Sequence, residues 1–127
     1  MSRKESREEV FKLVFEMCVL GEKNELSLEN AIEGASEADA KYISDVYNGV
    51  FEHYDELCKK IEDNAQGFSL VRIFKIDLAI MLVAAYEFLY YDLPHAVAIN
   101  EAVNLAKKFS TEKSPSFING VLASLVK

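Results

Sequence analysis

The strongest constraint on this chain is residues 76–93, IDLAIMLVAAYEFLYYDL. Set on a helical period, this run has no polar face. Leu78, Leu82, Ala85 and Leu89 fall on one side, Ile80, Met81, Ala84 and Phe88 on the opposite side, and Val83 and Tyr86 between them. A helix that is apolar all round is either a membrane span or the buried centre of a helical domain. A span needs roughly 20 mainly apolar residues, and here Asp77, Glu87 and Asp92 interrupt the run or edge it. The buried reading follows, with the other helices packed around this one.

The rest of the chain supplies those helices. Residues 7–20 place Val10, Phe11, Val14, Phe15 and Cys18 at helical spacing, and Gly21 closes the segment. Ser2, Arg3, Lys4 and Arg7 lie ahead of that stripe, either as a solvated terminus or as a short basic arm for phosphates. A short helix follows Ser27, with Leu28, Ala31 and Ile32 apolar and Gly34 as its stop. Ser36 before Glu37 and Asp39 reads as a capped helix start. Ile43, Val46, Tyr47, Val50, Phe51 and Tyr54 then continue at helical spacing. Gly49 weakens that helix and so implies close packing against a neighbour. Leu57, Cys58 and Ile61 mark a further helix ending near residues 64–67, and residues 68–75 form a short connection that carries Arg72.

Leu93-Pro94 breaks the pattern after the central run. Ala98, Ala102, Leu105 and Phe109 are the inner stripe of the next helix, and Asn100, Asn104, Lys107 and Lys108 its polar side. Ser114-Pro115 reads as the cap and first turn of a last helix, with Phe117 or Ile118, Val121, Leu122 and Leu125 inward. The expected architecture is all-α: one compact domain of about seven helices. A boundary near Gly67 divides it into helical subdomains of about residues 1–67 and 68–127.

Composition narrows the function. A disulfide framework or a zinc site has no support from two cysteines forty residues apart and two isolated histidines, His53 and His95; buried reduced thiols are expected, and no metal or cofactor. Residues 1–9 are charged and unlike a signal peptide, which with no span points to the cytoplasm and away from membranes. The net charge of −7 is unevenly spread. Residues 22–63 carry four basic and twelve acidic side chains, whereas residues 1–21 balance and residues 64–127 carry six basic and five acidic. Both ends remain open to a polyanion.

No nucleophile–base set, glycine-rich phosphate loop or paired carboxylates stand out, so an enzyme is not expected. Glu87 is a carboxylate inside an apolar helix and needs a partner, for which Arg72 or a helix N-terminus is available. Between residues 107 and 119, Lys107, Lys108, Phe109, Lys113, Ser114, Ser116, Phe117 and Asn119 combine basic, aromatic and hydrogen-bonding groups. That mixture suits single-stranded nucleic acid, where bases stack on rings and phosphates meet ammonium groups. The plainer alternative makes Phe109 and Phe117 core and the lysines solvating.

The segment AINEAVNLAKKFS, followed after a short gap by SFINGVL, resembles the signature of the NusB transcription antitermination family. Tyr86-Glu87 at the end of an apolar run, Arg72 and Asp77 before and at the start of the central helix, and Arg7-Glu8 in the first helix extend the likeness. The resemblance implies an all-helical fold of two subdomains. It further implies binding of boxA-type RNA together with NusE, the ribosomal small-subunit protein, on a complex that makes RNA polymerase resist termination, notably on ribosomal RNA operons. Carried over by position, the RNA contacts are Arg3, Lys4, Arg7, Lys108, Phe109, Lys113, Ser114, Phe117 and Asn119, and the NusE contacts Phe74, Asp77 and Met81. Glu87 becomes a buried polar tie between the central helix and the two helices after it. Glu5 and Glu9 dilute the basic arm, and Leu82 stands where the family usually has arginine, so RNA binding is expected to lean on the partner. Two other readings stand beside this one. One is a protein-interaction or homodimerisation module without RNA binding. The other is the NusB-like domain that precedes an RNA cytosine methyltransferase, disfavoured because it requires a catalytic domain beyond Lys127.

Overall fold

The structure, a computed structural model, describes residues 1–127. Seven α-helices follow one another: α1 (Arg3–Leu20), α2 (Glu25–Ile32), α3 (Glu37–Glu52), α4 (Tyr54–Asn64), α5 (Lys75–Tyr90), α6 (His95–Phe109) and α7 (Ser114–Leu125). A single 3₁₀ turn, Leu70–Arg72, precedes α5, and there are no strands. Helix α5 is the centre, with α1, α3, α4, α6 and α7 all packed on it. Residues 77–85 of α5 are all buried, as its lack of a polar face requires. No helix is long and apolar enough to cross a membrane.

Helix α5 ends at Tyr90, short of the expected Leu93, and its last turn reaches the surface, where Leu89 and Tyr90 are exposed. The stop is a backbone reversal rather than a change in hydropathy. Asp92 adopts a left-handed conformation (φ 56°), and the amides of Tyr91 and Leu93 both donate to the Glu87 carbonyl. The buried hydrophobic side chains form one contiguous cluster, and it runs across the sequence position near Gly67 where the chain passes from its first four helices to its last three.

Side-chain caps set the starts of α1, α2 and α3. Ser36 caps α3 by accepting from the Asp39 amide. Helix α1 begins at Arg3, ahead of the expected residue 7, because Ser2 and Glu5 form a capping box: the Glu5 amide donates to Ser2 Oγ (3.1 Å) and the Ser2 amide to Glu5 Oε1 (2.8 Å). The basic arm is therefore helix, not tail. In α2 the cap is Asn24 rather than Ser27, whose amide instead donates to the Asn24 side chain (3.0 Å). Ser114 does not cap α7. It is the first helical residue, and its hydroxyl turns back into the α6–α7 loop. Gly49 does mark a close approach: a Cβ there would fall on the end of the Tyr86 ring of α5. Cys18 and Cys58 are buried free thiols, and burial pushes both up in pKa, Cys58 to about 11, which leaves them unreactive.

Candidate nucleic-acid and partner interface

Two successive residues of α1 reach from the first helix to the C-terminal helices. Arg7 points inward: only 6% of it is exposed, and Glu87 is 1% exposed. Its Nε donates to Glu87 Oε1 (2.8 Å) and its Nη2 to Oε2 (2.9 Å), while Nη1 lies 3.5 Å from Glu101 Oε2 on α6. Burial, the largest single influence, would pull the Arg7 pKa down, but the hydrogen bond to Glu87 and the charges of Glu87, Tyr42 and Glu101 together more than offset it, so the guanidinium is held charged. Glu87 therefore ties α5 to α1, and α6 joins through Glu101. The expected partner, Arg72, is out of reach. It precedes the start of α5, and the rise from Lys75 to Glu87 alone is about 18 Å. The direct tie from Glu87 to α6 and α7 that the resemblance implies is not what forms: its link runs through Arg7 of α1.

This arrangement corrects the reading of Arg7 as a phosphate contact, because its charge is buried and paired. A sequence signal was available: Arg7 lies at i−3, i−4 and i−7 from Val10, Phe11 and Val14, on the apolar stripe itself. An arginine on a buried stripe and a glutamate in a buried helix are natural partners.

Around this tie the arm is well ordered. Arg3 lies over the Tyr42 ring of α3, 3.9 Å from Cζ to the ring centroid. The Tyr42 hydroxyl is buried without a hydrogen-bond partner, and burial followed by the nearby Glu87 charge pushes its pKa up. Asp39 receives the Met1 ammonium (3.4 Å) and Ser6 Oγ (3.3 Å).

Glu8, the next residue, points the other way. Its carboxylate accepts from Lys108 Nζ of α6 through both oxygens (2.8 and 2.9 Å). Here α1 and α6 enclose a cleft of about 320 Å³ lined by Lys4, Arg7, Glu8, Glu101, Asn104, Leu105, Lys107 and Lys108. Lys4 and Lys107 form no ion pair, so two ammonium groups face this opening uncompensated. Lys107 is the one basic member of the cleft that is not among the contacts implied by the family resemblance.

A second cleft, also about 320 Å³, lies where the α6–α7 loop meets the start of α5, lined by Phe68, Arg72, Ile73, Phe74, Asp77, Thr111, Lys113, Ser114 and Phe117. Asp77, almost wholly buried, holds that loop: Ser110 Oγ and Ser114 Oγ both donate to it, the latter at 2.9 Å. Phe117 packs edge-on to Phe68 (5.2 Å between centroids), leaving both rings partly exposed. Phe74 is 61% exposed and Val71 87%, so an apolar patch borders the cleft.

The site residues read from the sequence thus fall into groups. Lys4 and Lys108 share the first cleft. Lys113, Ser114 and Phe117 share the second with Phe74 and Asp77. Phe109 is partly buried against Phe11 (5.1 Å), with Lys108 Nζ 5.3 Å from its ring. Asn119 faces a separate opening beside His95 and Asn100. Met81 is fully buried and presents nothing to a partner, and Asp77 acts from beneath the surface through the serines it binds. Both belong to the inward side of α5. Leu82 is fully buried as well, so its departure from the family's arginine is taken up by packing.

A family model described as the NusB family matches residues 4–127. The chain belongs to the NusB family. A transcription antitermination protein NusB of Clostridium novyi (strain NT) is 40% identical over 132 residues, covering 100% of this chain and 99% of that protein. Its counterpart in Acetivibrio thermocellus is 44% identical over 130 residues, covering 100% of this chain and 90% of its own. The solved NusB of T. maritima matches with a TM-score of 0.90 at 27% identity, over 98% of this chain and 90% of that one. A solved complex of the antitermination factors NusB and NusE with double-stranded RNA contains a chain that matches at TM-score 0.86 and 20% identity, over 97% of this chain and 94% of that one, a likeness of fold alone. As a member of the NusB family the chain is a transcription antitermination factor and not an enzyme.

Proposed function

We propose that this NusB-family chain binds boxA-type single-stranded RNA jointly with the ribosomal protein NusE, in the cytoplasm, and so helps RNA polymerase pass terminators, notably on ribosomal RNA operons. The observation that carries this reading is that a basic cleft with Lys4, Lys107 and Lys108 near the end of α6 is followed along the chain, in the α6–α7 loop and the start of α7, by the lining of a mixed aromatic and basic cleft. Single-stranded RNA needs both, ammonium groups along its backbone and rings for its bases. In this proposal Arg3, Lys4, Lys107, Lys108 and Lys113 meet phosphates, Phe117 and Phe109 border the bases, and Ser114 with Asp77 shapes the loop. Asn119, set apart, is left to the far end of the strand. Phe74 and Val71, exposed and apolar beside Arg72, form the centre of the NusE contact.

A titration of a boxA-type RNA oligonucleotide into the protein, with and without NusE, tests the reading. Binding is expected to tighten with NusE and to fall linearly in log Kd as log salt rises. Lys113→Glu is expected to weaken it. No binding at low salt with NusE present would overturn the reading. An undiminished NusE complex in that case would leave a protein-interaction module.

A further inference from the structure

We propose that Glu8 is an affinity-determining residue of the basic cleft, holding the Lys108 ammonium in place of a phosphate until a strand with several phosphates displaces it. The inference rests on the RNA-binding reading above. Both Glu8 oxygens lie within hydrogen-bonding distance of Lys108 Nζ, so the carboxylate covers the ammonium as a phosphate would. The two side chains differ in access: Glu8 is 14% exposed and Lys108 58%. Lys108 is therefore free to swing toward an incoming ligand, whereas Glu8 stays on the cleft wall. Glu101, the other carboxylate of the cleft, is turned toward buried Arg7, which leaves Glu8 as the acid that faces the lysines.

An exposed pair of this kind is worth only about 0–1 kcal/mol, so it can be opened. Opening it sets Glu8 beside the incoming anion, and that repulsion must be outweighed. One phosphate on Lys108 merely replaces one anion by another. A strand that engages Lys4 and Lys107 at the same time holds its next phosphate at Lys108 at high effective concentration, and only then is exchange favourable. Glu8 thus selects a polyphosphate backbone over inorganic phosphate or a mononucleotide.

The test measures binding of a single-stranded boxA-type RNA oligonucleotide to the full chain with NusE over a salt series. It compares wild type, Glu8→Gln, Glu9→Gln, Lys108→Gln and the Glu8→Gln/Lys108→Gln double variant. Glu8→Gln should tighten binding about three- to fivefold, the scale of a released surface pair, and steepen the salt slope by about 0.7, because a freed Glu8 no longer takes up a cation that cancels one counterion released from the single strand. In the Lys108→Gln background that gain should shrink below about 1.5-fold, since coupled residues are non-additive. Glu9→Gln, which changes the same charge off the cleft, should change affinity less than about 1.5-fold. An unchanged or weaker Glu8→Gln complex at unchanged Tm would overturn the inference, as would an equal gain with Lys108 removed. Should Glu8→Gln lower the Tm, the comparison of Lys108→Gln with Lys4→Gln decides. A smaller loss for the already paired Lys108 supports the inference, and an equal or larger one overturns it. Absence of wild-type binding at low salt would strike the proposed function and this inference together, whereas wild-type binding indifferent to Glu8 strikes only the latter.

Discussion

Arg7 and Glu8 are neighbours in sequence and opposite in fate. Both make ion pairs from α1 to a C-terminal helix, and both pairs are bidentate on the carboxylate. One pair is sealed in the core, the other opens on a cleft. In the core, two charges removed from water hold each other, and Arg7 is the only cation paired with Glu87, so losing Arg7 strands the carboxylate. At the cleft, water and ions compete for each charge, so the pair contributes little to folding and can be exchanged. A single residue step, about 100° around the helix, thus separates a residue that builds the fold from a residue that governs access to the site.

The largest effect expected from breaking this contrast is on the buried side. Arg7→Ala leaves the Glu87 carboxylate without a cation and should lower unfolding free energy by about 3–5 kcal/mol, read by urea denaturation. Replacing both members, Arg7→Met with Glu87→Leu, should recover most of that loss. If the single variant is as stable as wild type, Glu87 has found another partner and the buried tie is not the link between α1 and α5.

Gly49 sharpens the same side without charge. Gly49→Ala adds a methyl group where the Tyr86 ring ends, and the forced shift should cost about 1–3 kcal/mol, more than the roughly 1 kcal/mol gained in helix propensity. A rise in Tm would show that the Tyr86 ring moves aside freely.

On the open side, Phe74→Ala should leave the Tm unchanged, since Phe74 is mostly exposed, while weakening the NusE complex by about 1–2 kcal/mol, as loss of an apolar interface anchor does. Calorimetric titration checks it, and an unaltered affinity would move the partner surface elsewhere. The smallest effect belongs to the cleft pair: Glu8→Gln and Lys108→Gln should each change unfolding free energy by less than about 0.5 kcal/mol. A larger change would make that pair structural, like its neighbour.

The same contrast explains which features are legible in the sequence. The buried centre was legible because a run with no polar face has few ways to fold, and residues 77–85 are indeed all inside. The Ser36 cap and the tight approach at Gly49 were legible for local reasons, since a cap and a missing Cβ act within one turn or one contact. The end of α5 was not, because Asp92 turns the backbone by its conformation and not by its hydropathy. Pairing across the chain was the hardest part. Arg7 sits eighty residues from Glu87, and its charge drew attention toward phosphate although its position on the apolar stripe pointed inward. Ser114 misled in a similar way: a serine before a proline favours a cap, but Asp77 on α5 claims its hydroxyl. The site was legible as a cluster of residue types along α6 and its loop, and not as two clefts, because the wall contributed by α1 depends on how the helices pack.

In the proposed function Arg7 serves the fold and the cleft lysines serve the ligand. The Arg7→Met/Glu87→Leu variant separates the two roles, since it removes one charge of each sign. Its affinity for boxA-type RNA with NusE should stay within about twofold of wild type, with the same salt slope, because no phosphate contact has been lost. A folded double variant that loses tenfold or more, with a slope shallower by about 0.7, one single-strand phosphate contact, would place Arg7 on the RNA and contradict the account.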